Sequence, residues 1–179
     1  MRQPVTAARV EDFMRALGNG VSSPARVFLV GGASAVLLGW RDSTIDIDLK
    51  AIPEEDDLLR QLSILKERLE INIELAAPDN FIPELPGWED RSQFVRQEGK
   101  LTFLHYDFYA QALAKIERGH EHDLDDAKQM VKNKLVDTRR LLEFFSRIEG
   151  DIGRYPALNA PSFRRAVELF VSQGHPERK

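Results

Sequence analysis

The chain has 179 residues, a formal net charge of −4 from 29 acidic and 25 basic side chains, and no cysteine. That length suits one domain, or a core domain with a helical extension, and the missing thiols exclude disulfides and thiolate zinc sites. The acidic balance gives no general reason for tight duplex binding, although it leaves room for a local basic groove.

Taken in chain order, the first residues lack the apolar core of a secretory signal, and no run approaches membrane-spanning length, so a cytoplasmic protein is expected. Val10, Phe13, Met14 and Leu17 recur at helical spacing, and the glycines at 18 and 20 are expected to end that helix. "ARVFLVGG" reads as a buried strand closing on a glycine turn, followed by a short helix, "ASAVLLGW". "STIDIDLK" then alternates with a period of two, with Ile45, Ile47 and Leu49 on one face and Thr44, Asp46 and Asp48 on the other.

The stretch from Pro53 to Glu70 is a helix with proline and acids in its first turn and bases near its end, as the macrodipole favours. "INIELAA" is a second alternating strand, with Asn72 and Glu74 on its polar face. Residues 78–90 carry three prolines and a glycine and read as an extended loop. A hairpin turning near Glu98 and Gly99 follows. Beyond Asp107 the pattern is helical: one helix over 108–118, another from about Asp123, a third around "TRRLLEFFSRIE", and a last one after Pro161. Strands with interspersed helices, then a helical tail, give an α+β class. The expected organisation is an N-terminal helix over 1–20 packing on the core, a core over 21–110, and a helical region over 111–179.

Two carboxylates at alternate strand positions start about 7 Å apart on one face and can reach a shared divalent cation. Acids on a solvated strand face are common, so the pair alone leaves both readings open. Its neighbours sharpen it. Gly31 and Gly32 open a helix whose first turn also carries Ser34, a turn suited to an anion. Mg²⁺ takes one or two carboxylates together with substrate phosphates, which is the combination this stretch offers. A Rossmann-type dinucleotide site fits poorly, because the third glycine is missing and the next strand ends in two acids rather than one.

Gly31-Gly32-Ala33-Ser34, then Arg41, Thr44 and Asp46-Ile47-Asp48, resembles the polymerase-beta-like nucleotidyltransferase superfamily. The form is similar to that of the minimal prokaryotic members, including relatives of AbiEii-type toxins, with Ala-Ser after the glycines in place of a direct Gly-Ser. The resemblance implies Mg²⁺ (or Mn²⁺) on Asp46, Asp48 and a third carboxylate, with Glu74 expected and Asp79 or Glu70 as substitutes. It implies an NTP substrate held by Gly31, Gly32, Ser34 and Thr44, with Arg41 in support. Lys115, Arg118, Asp123 and Asp126 are similar in order and spacing to a second motif of the AbiEii-like relatives, with His122 where lysine is expected. By that likeness Lys115 and Arg118 would bind the triphosphate, while Asp123 and Asp126 support the site.

Read from the residues alone, Asp123 is an N-cap with Asp126 at N3, and the two cations form a solvated face or pair with those aspartates. His105, His120, His122 and His175 form no zinc pattern, and Trp40 and Trp88 are expected to pack. The implied activity is metal-dependent transfer of a nucleoside monophosphate from an NTP to a hydroxyl on tRNA or other RNA, protein or a small molecule. A toxin role with a cognate antitoxin is also implied. The alternative is a nucleotide- or partner-binding module of the same fold without turnover.

Overall fold

The computed structural model describes residues 3–174. In chain order they form α1 (Ala7–Gly20), β1 (Ala25–Val30), α2 (Gly32–Leu38), β2 (Asp46–Ile52), α3 (Asp56–Arg68) and β3 (Asn72–Leu75). A 3₁₀ turn (Pro78–Asn80), α4 (Trp88–Arg91), β4 (Gln93–Glu98) and β5 (Leu101–His105) follow. The chain continues with α5 (Phe108–Arg118), α6 (Glu121–Lys132), α7 (Thr138–Ile148), a 3₁₀ segment (Glu149–Arg154) and α8 (Ala160–Gln173). Two compact units result. One comprises the chain up to Ala77 with Ser92–Tyr106, and the other Pro78–Arg91 with the chain from Asp107 onward.

The first unit is a five-stranded mixed sheet in the order β3-β2-β1-β5-β4, which bears out the α+β class. β1 is antiparallel to β2 and parallel to β5, β2 is parallel to β3, and β4 closes the far edge antiparallel to β5. β2 alternates half-buried and buried residues along its whole length, the period expected of a strand with one face on the core. Ile47, Leu49, Val27, Leu29 and Phe103 supply that core face, and Phe13, Leu17, Val36, Leu58 and Leu65 come down on it from α1, α2 and α3. Each such side chain contributes about 1.5–3 kcal/mol of burial. Ile45 departs from the expected pattern. It precedes the first residue of β2 and is 77% exposed.

α1 runs through the glycines to Gly20 instead of stopping before them. The reason is packing: a Cβ on Gly18 would lie 2.5 Å from the Glu98 carbonyl oxygen, and one on Gly99 2.5 Å from the Gly18 carbonyl oxygen. The two glycines let the β4–β5 turn close onto the last turn of the helix. α3 begins at Asp56, beyond Pro53, with Asp56 and Asp57 in its first turn and Lys66 and Arg68 in its last.

In the second unit α5 is buried from Phe108 to Ile116. Tyr109 of α5 meets Phe144 of α7 at 4.8 Å between ring centres, and Phe145 of α7 meets Phe163 of α8 at 4.9 Å. Asp107, Asp137 and Asn159 cap α5, α7 and α8 with side-chain oxygens that accept backbone N–H groups. The segment 78–90, expected as a loop, contains the 3₁₀ turn and the start of α4 and belongs to this unit. Among the described residues no helix is long and apolar enough to cross a membrane.

Candidate functional site

Asp46 pairs with Asn72 and Asp48 with Glu74 in the parallel register of β2 and β3. Registered residues of parallel strands project to the same side, so all four stand on the face opposite the core residues Ile47 and Ile73. Asn72 links them: its Nδ2 donates to Asp46 Oδ1 at 2.5 Å and to Glu74 Oε1 at 3.1 Å. Asp46 and Asp48 are half-buried and Glu74 is exposed on the edge strand. Neither substitute for Glu74 belongs to β2 or β3. Glu70 is exposed just beyond α3, and Asp79 lies in the 3₁₀ turn of the other unit.

The glycine turn meets this strand from the side. Gly31 has φ 58°, a left-handed conformation that costs a residue with a Cβ, and a Cβ there would lie 3.6 Å from Asp48 Oδ2. At Gly32 a Cβ would overlap Thr44, 2.0 Å from Oγ1. Both glycines therefore permit α2 to begin directly against Thr44 and Asp48. Thr44 is itself fixed by a two-way backbone bridge to Val5, at 2.7 and 2.9 Å, and by a hydroxyl that donates to the Asp46 carbonyl at 3.2 Å. Arg41 is half-buried in the connection between α2 and β2.

Ser34 differs from expectation. It is fully buried, and its Oγ lies 3.2 Å from the Leu29 carbonyl oxygen and 2.8 Å from His105 Nδ1. The side chain points into the protein, because the third helical position of α2 turns towards the sheet. Its hydroxyl is engaged by these two buried contacts. Nothing in the sequence pattern flags His105, which is 6% exposed at the end of β5 and pushed down to about 4 by burial.

Among the described residues no group of three or more His, Cys, Asp or Glu side chains is gathered to hold a metal ion. The expected three-carboxylate set of Asp46, Asp48 and Glu74 is thus not assembled in this arrangement; the Asn72 amide stands between Asp46 and Glu74. What remains is an aspartate pair whose carboxylate oxygens suit a hard cation, with the Asn72 N–H group beside it. That fits Mg²⁺, which commonly takes one or two carboxylates and completes its shell with water and phosphate oxygens.

The second cluster forms within the other unit. Lys115 Nζ lies 2.8 Å from Asp126 Oδ2 and 3.2 Å from Asp123 Oδ1, and Arg118 reaches the same Asp123 oxygen at 2.8 Å. Of the alternatives read from the residues, pairing with the aspartates is the one found. Lys115 and Asp126 are nearly fully buried, while the Arg118 side chain is 43% exposed. The helix begins earlier than expected, at Glu121 with His120 as N-cap, so Asp123 is inside it and serves as a cation partner instead of a cap.

His120 and His122 are exposed, His175 lies outside the described residues, Trp88 is buried and Trp40 half-buried. Sequence reasoning missed a further buried pair: Arg91 reaches Asp107 Oδ2 at 2.7 Å while Asp107 Oδ1 accepts from the Tyr109 amide. The acid-before-helix position of Asp107 is the signal that could have found it.

Residues 8–164, spanning both clusters, match the model of a protein family described as a nucleotidyltransferase of unknown function (DUF6036). No curated protein and no solved structure matches the chain.

Proposed function

The chain belongs to this nucleotidyltransferase family of unknown function, and on that premise we propose a divalent-metal-dependent enzyme that transfers a nucleoside monophosphate from an NTP to a hydroxyl acceptor. The observation that carries the reading is the Gly31–Gly32 turn packed against Asp48, on the strand that also bears Asp46. Asp46 and Asp48 would hold Mg²⁺ or Mn²⁺, which supplies charge neutralisation at the phosphate oxygens. The backbone of Gly31 and Gly32 is assigned to the phosphates of the NTP, with Thr44 fixing the turn.

Asn72 is assigned the orientation of Asp46. Glu74, exposed beside it, is assigned the proton of the acceptor hydroxyl. The acceptor oxygen bonds to the α-phosphorus as the bond from that phosphorus to the α,β-bridging oxygen breaks, and pyrophosphate leaves in line. An acceptor on tRNA or other RNA, a protein or a small molecule is compatible with this chemistry. The toxin role of the AbiEii-type relatives, opposed by an antitoxin, rests on the sequence resemblance alone.

One observation favours a second reading, a nucleotide- or partner-binding module without turnover: the third carboxylate is not gathered with the other two. Incubation with each α-labelled NTP, Mg²⁺ and total cell extract separates the readings. Label transferred by the wild type and lost in Asp46→Asn supports the enzyme. Equal labelling in both overturns it, and calorimetric NTP binding without pyrophosphate release supports the module.

A further inference from the structure

His105 and Ser34 stand 71 positions apart in sequence and meet inside the first unit at 2.8 Å. They join three elements. His105 ends β5, Leu29 is its register partner on β1, and Ser34 lies in the first turn of α2. The Leu29 carbonyl can only accept, and it also receives the Tyr106 amide at 2.9 Å. Both contacts form together when the Ser34 hydroxyl donates to Leu29 O and the His105 Nδ1–H donates to Ser34 Oγ. The ring is then neutral with its proton on Nδ1, and its burial favours that uncharged form.

The segment bracketed by these bonds is the glycine turn. Leu29 is anchored on one side of Gly31 and Gly32, Ser34 on the other, and His105 holds both ends against β5. The Gly31 carbonyl also accepts the Ala35 amide at 3.0 Å, which ties the turn to α2. The turn's place decides how closely the backbone approaches Asp48 and Thr44, where a single added carbon is not accommodated at Gly32. A buried imidazole is a costly way to fill space, because an apolar side chain would bury without needing a partner.

We propose that His105 is a positioning residue that, through Ser34, clamps the Gly31–Gly32 turn at its working distance from Asp48. The clamp's effect on catalysis rests on the nucleotidyltransferase reading, while its existence does not. His105 touches neither nucleotide nor acceptor in this assignment and acts only by holding the turn.

The test compares the wild type with Ser34→Ala, His105→Leu and His105→Asn, the last of which keeps an N–H donor near the Nδ1 position. Imidazole ¹⁵N shifts are expected to show the Nδ1–H tautomer in the wild type and its loss in Ser34→Ala. A wild-type ring protonated on Nε2 overturns the clamp. Amide exchange at residues 31–35 is expected to quicken about tenfold in His105→Leu, the worth of one buried hydrogen bond, with α8 unchanged and His105→Asn restoring much of the protection. Exchange that is unaltered, or quickened equally throughout the chain, overturns it as well.

Where label transfer is measured, kcat/KM is expected to fall about tenfold in His105→Leu and to recover in His105→Asn, by the same reasoning. A kcat/KM that stays at the wild-type value overturns the positioning role. A wild type that transfers nothing overturns the functional reading instead, and the tautomer and exchange data still decide the clamp.

Discussion

Asn72 Nδ2 lies 2.5 Å from Asp46 Oδ1, so the edge strand β3 supplies a donor to the first carboxylate of β2. The same amide reaches Glu74 Oε1 at 3.1 Å, which sets the two acids apart and fixes one oxygen of each. Replacing Asn72 by Ala removes a charge-assisted bond worth about 1.5–3 kcal/mol when fully expressed, less at this half-buried position. Label transfer is expected to fall about tenfold or more while the urea midpoint moves little. Unchanged transfer would remove Asn72 from the site.

Gly32→Ala is expected to destabilise the protein by about 1–3 kcal/mol, because the new methyl overlaps the Thr44 side chain and the turn must shift. Combining it with Thr44→Ala relieves only part of the loss, since the Thr44 Cβ is itself 2.6 Å from the added carbon. Urea denaturation of the single and double variants measures both effects. NTP affinity read by calorimetry is expected to drop in the single variant.

Lys115 is the buried cation of this cluster, and Lys115→Met would take it from Asp126, while Asp123 keeps Arg118 at 2.8 Å. Breaking one side of such a pair costs about 3–5 kcal/mol. Adding Asp126→Asn is expected to recover a substantial part, because the orphaned charge is then gone. A loss below about 1 kcal/mol in Lys115→Met, set against that range, would show that the cluster is held by something other than this pairing.

His105 carries a pH dependence of defined sign. Burial lowers it from 6.5 to about 4, so between those values the unfolded chain binds a proton that the folded protein refuses. The stability contributed is complete above pH 6.5, falls as the pH drops, and is lost through about pH 4, with a span on the order of 3 kcal/mol. Urea midpoints between pH 7 and 4 are expected to fall more steeply for the wild type than for His105→Leu. Parallel curves would contradict this.

The sheet and its polar strand faces were legible because period two is written directly in "DIDL" and "NIEL". That period puts Asp46 with Asp48, and Asn72 with Glu74, on one face of each strand, and the macrodipole signals of α3 were equally plain. The errors came from contacts between segments distant in sequence. Gly18 looked like a helix stop until the β4–β5 turn was seen resting on it. Ser34 looked available because nothing local tells that the third residue of so short a helix points at His105. Asp123 looked like a cap because its pull on Lys115 and Arg118 is tertiary. Asn72 was visible as a polar strand residue, but its bond to Asp46 depends on strand register, which one sequence does not encode locally.

β3 has four residues and is hydrogen-bonded to the sheet along one side only. Short edge strands sit at the low end of the local stability scale and open well before the global transition. Asp48 is paired with Val30 of β1 as well as with β3, whereas Asn72 and Glu74 ride on the edge. Fraying of β3 therefore dissolves the outer half of the carboxylate face while the inner half stays folded. Warming is thus expected to silence the site at a temperature where the bulk of the protein still reads as native.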